Sequence, residues 1–183
     1  MAAAPALNVQ GPMRVFIETA EAAAKFMTTS GGPRIGTLSF DGWDTHANEG
    51  AVSGNLYNRL SGLDAGINAF RLGMGEAWKD TVVAIVTEFG RTAATNGTEG
   101  TDHGTGTVAL LLGGAVKGGR VVANWPGLSQ SKLYEGRDLA PTLDLRSVLK
   151  GVMKDHLGLA EARLSSTVFP DSGGVNPMPG LIV

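Results

Sequence analysis

"TVVAIVTEFGRT", residues 81–92, decides how this chain is read. Val82, Val83, Ile85 and Val86 make a nearly continuous apolar run, the pattern of a strand buried on both faces of a parallel sheet. The run leads through Thr87 to Glu88, with Arg91 three residues on, so a carboxylate and a guanidinium are expected at the mouth of the sheet. Guanidinium grips phosphate or sulfate oxygens in a bidentate fork, and a carboxylate can bind metal. The plainer alternative is a Glu–Arg ion pair at a strand exit.

Working outward, Leu56, Leu60, Leu63, Ile67, Phe70, Met74 and Trp78 keep a spacing of three or four through Asn55 to Trp78, despite Gly62, Gly66 and Gly73. This predicts a long helix covering the sheet. A second amphipathic helix is expected from Pro12 to Met27, where Phe16, Ala20, Ala23 and Met27 recur between charged residues. "RIGTLSF", residues 34–40, reads as a buried strand, and "VALLLGG" (108–114) and "GRVVAN" (119–124) as further strands, joined by a tight "GGAVKGG" connection. That glycine stretch lacks the GxxxxGK[ST] spacing of a phosphate loop. In residues 141–158, Leu145, Val148, Leu149, Val152, Met153 and Leu157 predict a last helix, with Thr142 as N-cap and Gly158 as its stop. The organisation expected is a tail over residues 1–11, a single α/β domain over 12–164 and a Pro/Gly-rich coil over 165–183. Strands alternating with long helices predict a mostly parallel sheet flanked by helices, with right-handed crossovers.

Composition narrows the function classes. With 15 basic against 17 acidic side chains, the chain has no cationic field to draw nucleic acid or anionic membranes. Cysteine is absent, which excludes disulfides, thiolate ligands and a cysteine nucleophile. No apolar run approaches the roughly 20 residues of a membrane span, so a soluble protein is expected. The alanine-rich opening has no basic n-region and fails as a secretory signal, although export in a longer precursor is left open.

Two further polar clusters fall where strands are expected to end, the place where open α/β sheets gather ligands. In "DGWDTH", residues 41–46, Asp44 and His46 stand two apart and project to one side of an extended segment. A carboxylate and an imidazole suit zinc, manganese or iron, and Asp41 can add an oxygen or orient the histidine. The alternative is a strand-end turn in which Asp41 and Asp44 cap amides. Asp102, His103 and Gly104 lie in a loop of small residues, Thr92 to Thr107, where backbone can approach a ligand closely. His156, the third histidine, reads as a structural residue near a helix C-terminus.

Taken in order, "GWDTH", "TEFGRT", an Asn, "GTDHG", "LLGGAVKGG" and "DLAPTLDLRSVLKGVM" resemble the carboxy-terminal part of the DUF1501 family over about residues 34 to 160. That family in turn looks like a branch of the alkaline phosphatase and sulfatase superfamily, here truncated on its N-terminal side. The resemblance implies a divalent metal ion held by Asp44, His46, Glu88 and His103, with Arg91, Asp102 and His103 as catalytic candidates. No residue matches the superfamily's nucleophile. A fragment, attack by activated water, and lost chemistry all fit that departure.

The expected function is therefore a metal-dependent hydrolase of phosphate, sulfate or related small-molecule esters, without nucleic-acid or membrane partners and compatible with an oligomer. Its alternatives are an inactive binding or assembly module of the same fold and a serine-type carboxylesterase, the last weakened by the absence of a G-x-S-x-G elbow.

Overall fold

A computed structural model describes residues 11–183 of the chain, so the tail expected over 1–11 lies, but for Gly11, outside the described residues. The chain folds as two units, one of Met1–Ala77 with Asn96–Gly100 and one of Trp78–Thr95 with Thr101–Val183.

In the first unit, α1 spans Pro12–Thr28 and α2 spans Asn55–Met74. Proline in the first turn of α1 suits the fixed φ of a helix start, and Arg14 reaches Glu18 one turn on, at 2.7 Å. The two helices pack through glycine rather than leucine. A Cβ on Gly62 would come within 2.7 Å of the Met13 side chain, on Gly66 within 2.3 Å of the Phe16 ring, and on Gly73 within 2.7 Å of the Ala24 methyl. Each helical glycine costs about 0.5–1 kcal/mol relative to alanine, and here the cost admits side chains of α1 to the α2 backbone. The face of α2 expected to cover a sheet is thus rotated: Gly62, Gly66 and Met74 are buried, and Leu60 is half exposed.

Residues 35–40 form no strand. They run extended with Ile35 70% exposed, because no neighbouring segment pairs with them among the described residues. Phe40 anchors their end, stacked on Phe16 at 4.4 Å between centroids and edge-on to Trp43, whose indole N–H donates to the Phe40 carbonyl.

In the second unit, β1 (Val83–Ile85) pairs with β4 (Leu110–Leu112), and β2 (Gly90–Arg91) with β3 (His103–Gly104). Both ladders are antiparallel, in the registers Val83↔Leu112 and Arg91↔His103. The fold is mixed α and β, and no parallel pairing occurs among the described residues. A parallel neighbour requires a crossover of a dozen residues or more, usually a helix; between β1 and β4 the chain instead turns back through β2 and β3. Val86, expected to be covered on both faces, is 47% exposed. Residues 119–124 are unpaired too, with Val121 almost fully exposed.

Helix α3 (Leu145–Leu157) starts three residues beyond the expected cap, Thr142. Asp144, not Thr142, is the N-cap, and its carboxylate accepts from the Arg146 amide at 2.8 Å and from the Arg146 guanidinium at 2.7 Å. Gly158 ends it as expected, in the left-handed conformation at φ 69°. A short α4 (Glu161–Arg163) and one π-type turn (Leu164–Val168) follow. The remaining coil is pinned to α3. Lys150 is fully buried, and its ammonium donates to Ser165 Oγ, Ser172 O and Val175 O at 2.7–2.9 Å. An ammonium has three donors, and all are used. No helix among the described residues is long and apolar enough to cross a membrane.

Candidate metal-binding site

The first unit presents the Asp44–His46 pair. Asp44 Oδ1 lies 2.9 Å from His46 Nε2, and both side chains are about half exposed, at 59% and 44%. Three local features bring them together. Gly42 takes φ 92°, and a Cβ there would meet the Arg59 guanidinium at 2.4 Å, so the chain turns at a residue without a side chain. Trp43 packs inward on Phe40. Thr45 is buried between the pair, its amide bonded to the Trp43 carbonyl at 3.0 Å, which leaves Asp44 and His46 to project outward.

The loop 96–100 belongs to this unit and closes on His46. The His46 carbonyl accepts from Asn96 Nδ2 at 2.9 Å and from the Thr98 hydroxyl at 2.7 Å. Asn96 Oδ1 in turn accepts from the amides of Thr98 and Gly100, each at 3.0 Å. The Asn48 and Glu49 amides bond the Thr98 and Glu99 carbonyls, both at 2.9 Å. Gly100 is buried, and a Cβ on it would lie 2.2 Å from the His46 carbonyl carbon. Asn96 enters the sequence analysis only as the Asn of the family resemblance and Thr98 not at all, although an Asn followed by Gly between polar residues is a recognisable turn signal.

The second unit carries Glu88, Arg91, Asp102 and His103. Glu88 is exposed beyond β1. Arg91 is half-buried, its Nη1 donating to the Thr101 carbonyl at 2.8 Å and its guanidinium 5.3 Å from the Phe89 ring centre. His103 is exposed and stacks on the same Phe89, at 4.0 Å between centroids. Asp102 is exposed, and its backbone ties it to Thr92 in both directions, at 3.0 and 3.2 Å. Glycine sets this geometry as well: a Cβ on Gly90 would sit 1.8 Å from the Gly106 carbonyl oxygen.

Beneath this loop lies Asp138, a residue the sequence reading passed over. It is 2% exposed, and Oδ2 accepts from the Thr105 amide at 3.1 Å and the Thr105 hydroxyl at 3.0 Å. Oδ1 faces Arg137 Nε at 2.9 Å, as an ion pair without hydrogen-bond alignment. The Gly106 amide bonds the next carbonyl, Leu139 O, at 3.1 Å. His103 thus lies two residues before Thr105, the residue that the buried Asp138 carboxylate holds.

Among the described residues, neither unit by itself assembles three His, Asp or Glu donors in metal-binding range. A family model described as a protein of unknown function (DUF1501) matches residues 5–168. The chain belongs to the DUF1501 family. The DUF1501 match takes in both units and every candidate residue named above. Comparison of this DUF1501 chain with curated proteins and with solved structures found no match.

Proposed function

We propose that the protein is a metal-dependent hydrolase of phosphate, sulfate or related small-molecule esters, with a divalent ion held by the donors that the family resemblance implies, Asp44, His46, Glu88 and His103. The observation that carries the reading is the Asp44–His46 pair, a carboxylate oxygen and an imidazole nitrogen 2.9 Å apart on side chains open to solvent. Mixed oxygen and nitrogen donors of this kind suit zinc or manganese.

An ion bound there would polarise an ester oxygen and lower the pKa of a water molecule. The kinship with the alkaline phosphatase and sulfatase superfamily belongs to this proposal, in a form that uses water where that superfamily has a side-chain nucleophile. Arg91, already braced on Phe89, holds the anionic oxygens of the substrate. Asp102 shares its loop and orients His103. Glu88, exposed beyond β1, is the further carboxylate that the resemblance implies as a ligand.

Protein purified without chelator is to be assayed on p-nitrophenyl phosphate, sulfate and acetate, with and without EDTA and added Zn2+ or Mn2+. Turnover of phosphate or sulfate that EDTA abolishes and the ion restores is the expected result. Acetate cleavage indifferent to chelator would replace the proposal with a serine route, and bound ion without turnover on any ester would replace it with an inactive binding module.

A further inference from the structure

We infer that Asn96 is a positioning residue for His46, and that the loop 96–100 exists to fix where that imidazole points. The inference rests on the proposed metal reading for its purpose but not for its geometry. A side chain leaves Cα in a direction set by the peptide planes on either side. At His46, the carbonyl plane is held by two side-chain donors at once, Asn96 Nδ2 and Thr98 Oγ1, at 2.9 and 2.7 Å. Both donors are then held themselves. Asn96 Oδ1 receives the Thr98 and Gly100 amides at 3.0 Å and lies 2.9 Å from the Thr98 hydroxyl. The Asn96 amide closes the loop on the Gly100 carbonyl at 2.8 Å.

One amide side chain therefore links the turn of its own loop to a carbonyl fifty residues earlier in the chain. A primary amide suits this place because it has donors on one end and an acceptor on the other. Aspartate, of the same shape, would turn an oxygen toward the His46 carbonyl and repel it. Gly100 completes the seat by letting the loop backbone lie directly on His46, where any side chain would collide. Groups that orient a metal-binding histidine from behind are worth roughly 10–100-fold in affinity when removed, and that is the size of effect assigned to Asn96.

The test uses the whole chain, wild type and the variants Asn96→Asp, Thr98→Val and Thr98→Ser. The imidazole signals of His46, His103 and His156 are followed by 15N NMR in metal-free protein, and Zn2+ affinity by calorimetry. In Asn96→Asp and Thr98→Val the His46 signal is expected to move while that of His156 stays, and Zn2+ affinity to fall about 10–100-fold. Thr98→Ser, which keeps the hydroxyl, is expected to match wild type. An unmoved His46 signal in folded Asn96→Asp and Thr98→Val overturns the inference. So does a shift of all three histidines together, or loss of the fold in both variants, since either marks a merely structural loop. If wild type binds no Zn2+ yet the variants still move His46 alone, the positioning role stands and the metal reading falls.

Discussion

Two loops seat the candidate donors, and they are built from opposite materials. In the first unit a neutral amide, Asn96, seats His46 from an exposed loop through backbone and hydroxyl partners. In the second, a carboxylate 2% exposed, Asp138, seats the segment just after His103. The neutral seat carries no charge to desolvate. The charged seat has its carboxylate buried, and hydrogen bonds to a charged acceptor are the stronger ones. The comparison teaches that the charged seat beside His103 is the harder of the two to remove.

The largest effect expected from breaking this contrast is at Asp138. Asp138→Ala removes three bonds to a charged group, two from Thr105 and one from Arg137, which should cost about 3 kcal/mol in denaturant melts, a figure kept modest because Arg137 is itself 58% exposed. A cost near zero would show that the second seat is no firmer than the first. Asn96→Ala is expected to cost less, about 1–2 kcal/mol, since the bonds it removes are to a neutral amide. Chemical melts of the two variants side by side decide the order, and a reversed order would invert the comparison.

How much of this was legible in sequence follows from which forces leave a periodic trace. Helix α1 and the start of α2 were, because a three-or-four spacing reports one buried face. The face itself was misread, since Gly62 and Gly66 were counted as penalties when they are the contact surface against Met13 and Phe16. The apolar run 82–86 signalled a strand, and pairing direction leaves no mark in such a run. Residues 35–40 and 119–124 had strand-like residue types but lacked a partner, which is a tertiary fact. Asp44, His46 and His103 stood out by type and spacing. Asn96 and Asp138 stand in segments that carry the family resemblance but had no role legible there, because their work is done through hydrogen bonds to residues 50 and 33 positions away.

A smaller effect separates the site from the scaffold. Arg146, hydrogen-bonded to the Asp144 carboxylate, holds that acid below its ordinary value of 3.8. A depressed folded-state pKa contributes stability above the ordinary value, and that contribution drains away as pH falls through the lowered one. Asp144→Ala should therefore cost about 1 kcal/mol at neutral pH, the usual worth of an N-cap, and nearly nothing once acid has protonated the carboxyl. Thermal melts from neutral pH downward, wild type against variant, show this as converging midpoints; a gap that persists in acid would mean that Asp144 acts by packing.

The central claim is that Asp44, His46 and His103 serve one cation. Titration of Zn2+ into the metal-free chain by calorimetry, with wild type beside Asp44→Asn, His46→Ala and His103→Ala, tests it most directly. The account predicts one site per chain in wild type and a loss of at least tenfold in affinity in each variant, with the fold intact by circular dichroism. Unchanged Zn2+ binding in His103→Ala, or none in wild type, would contradict it.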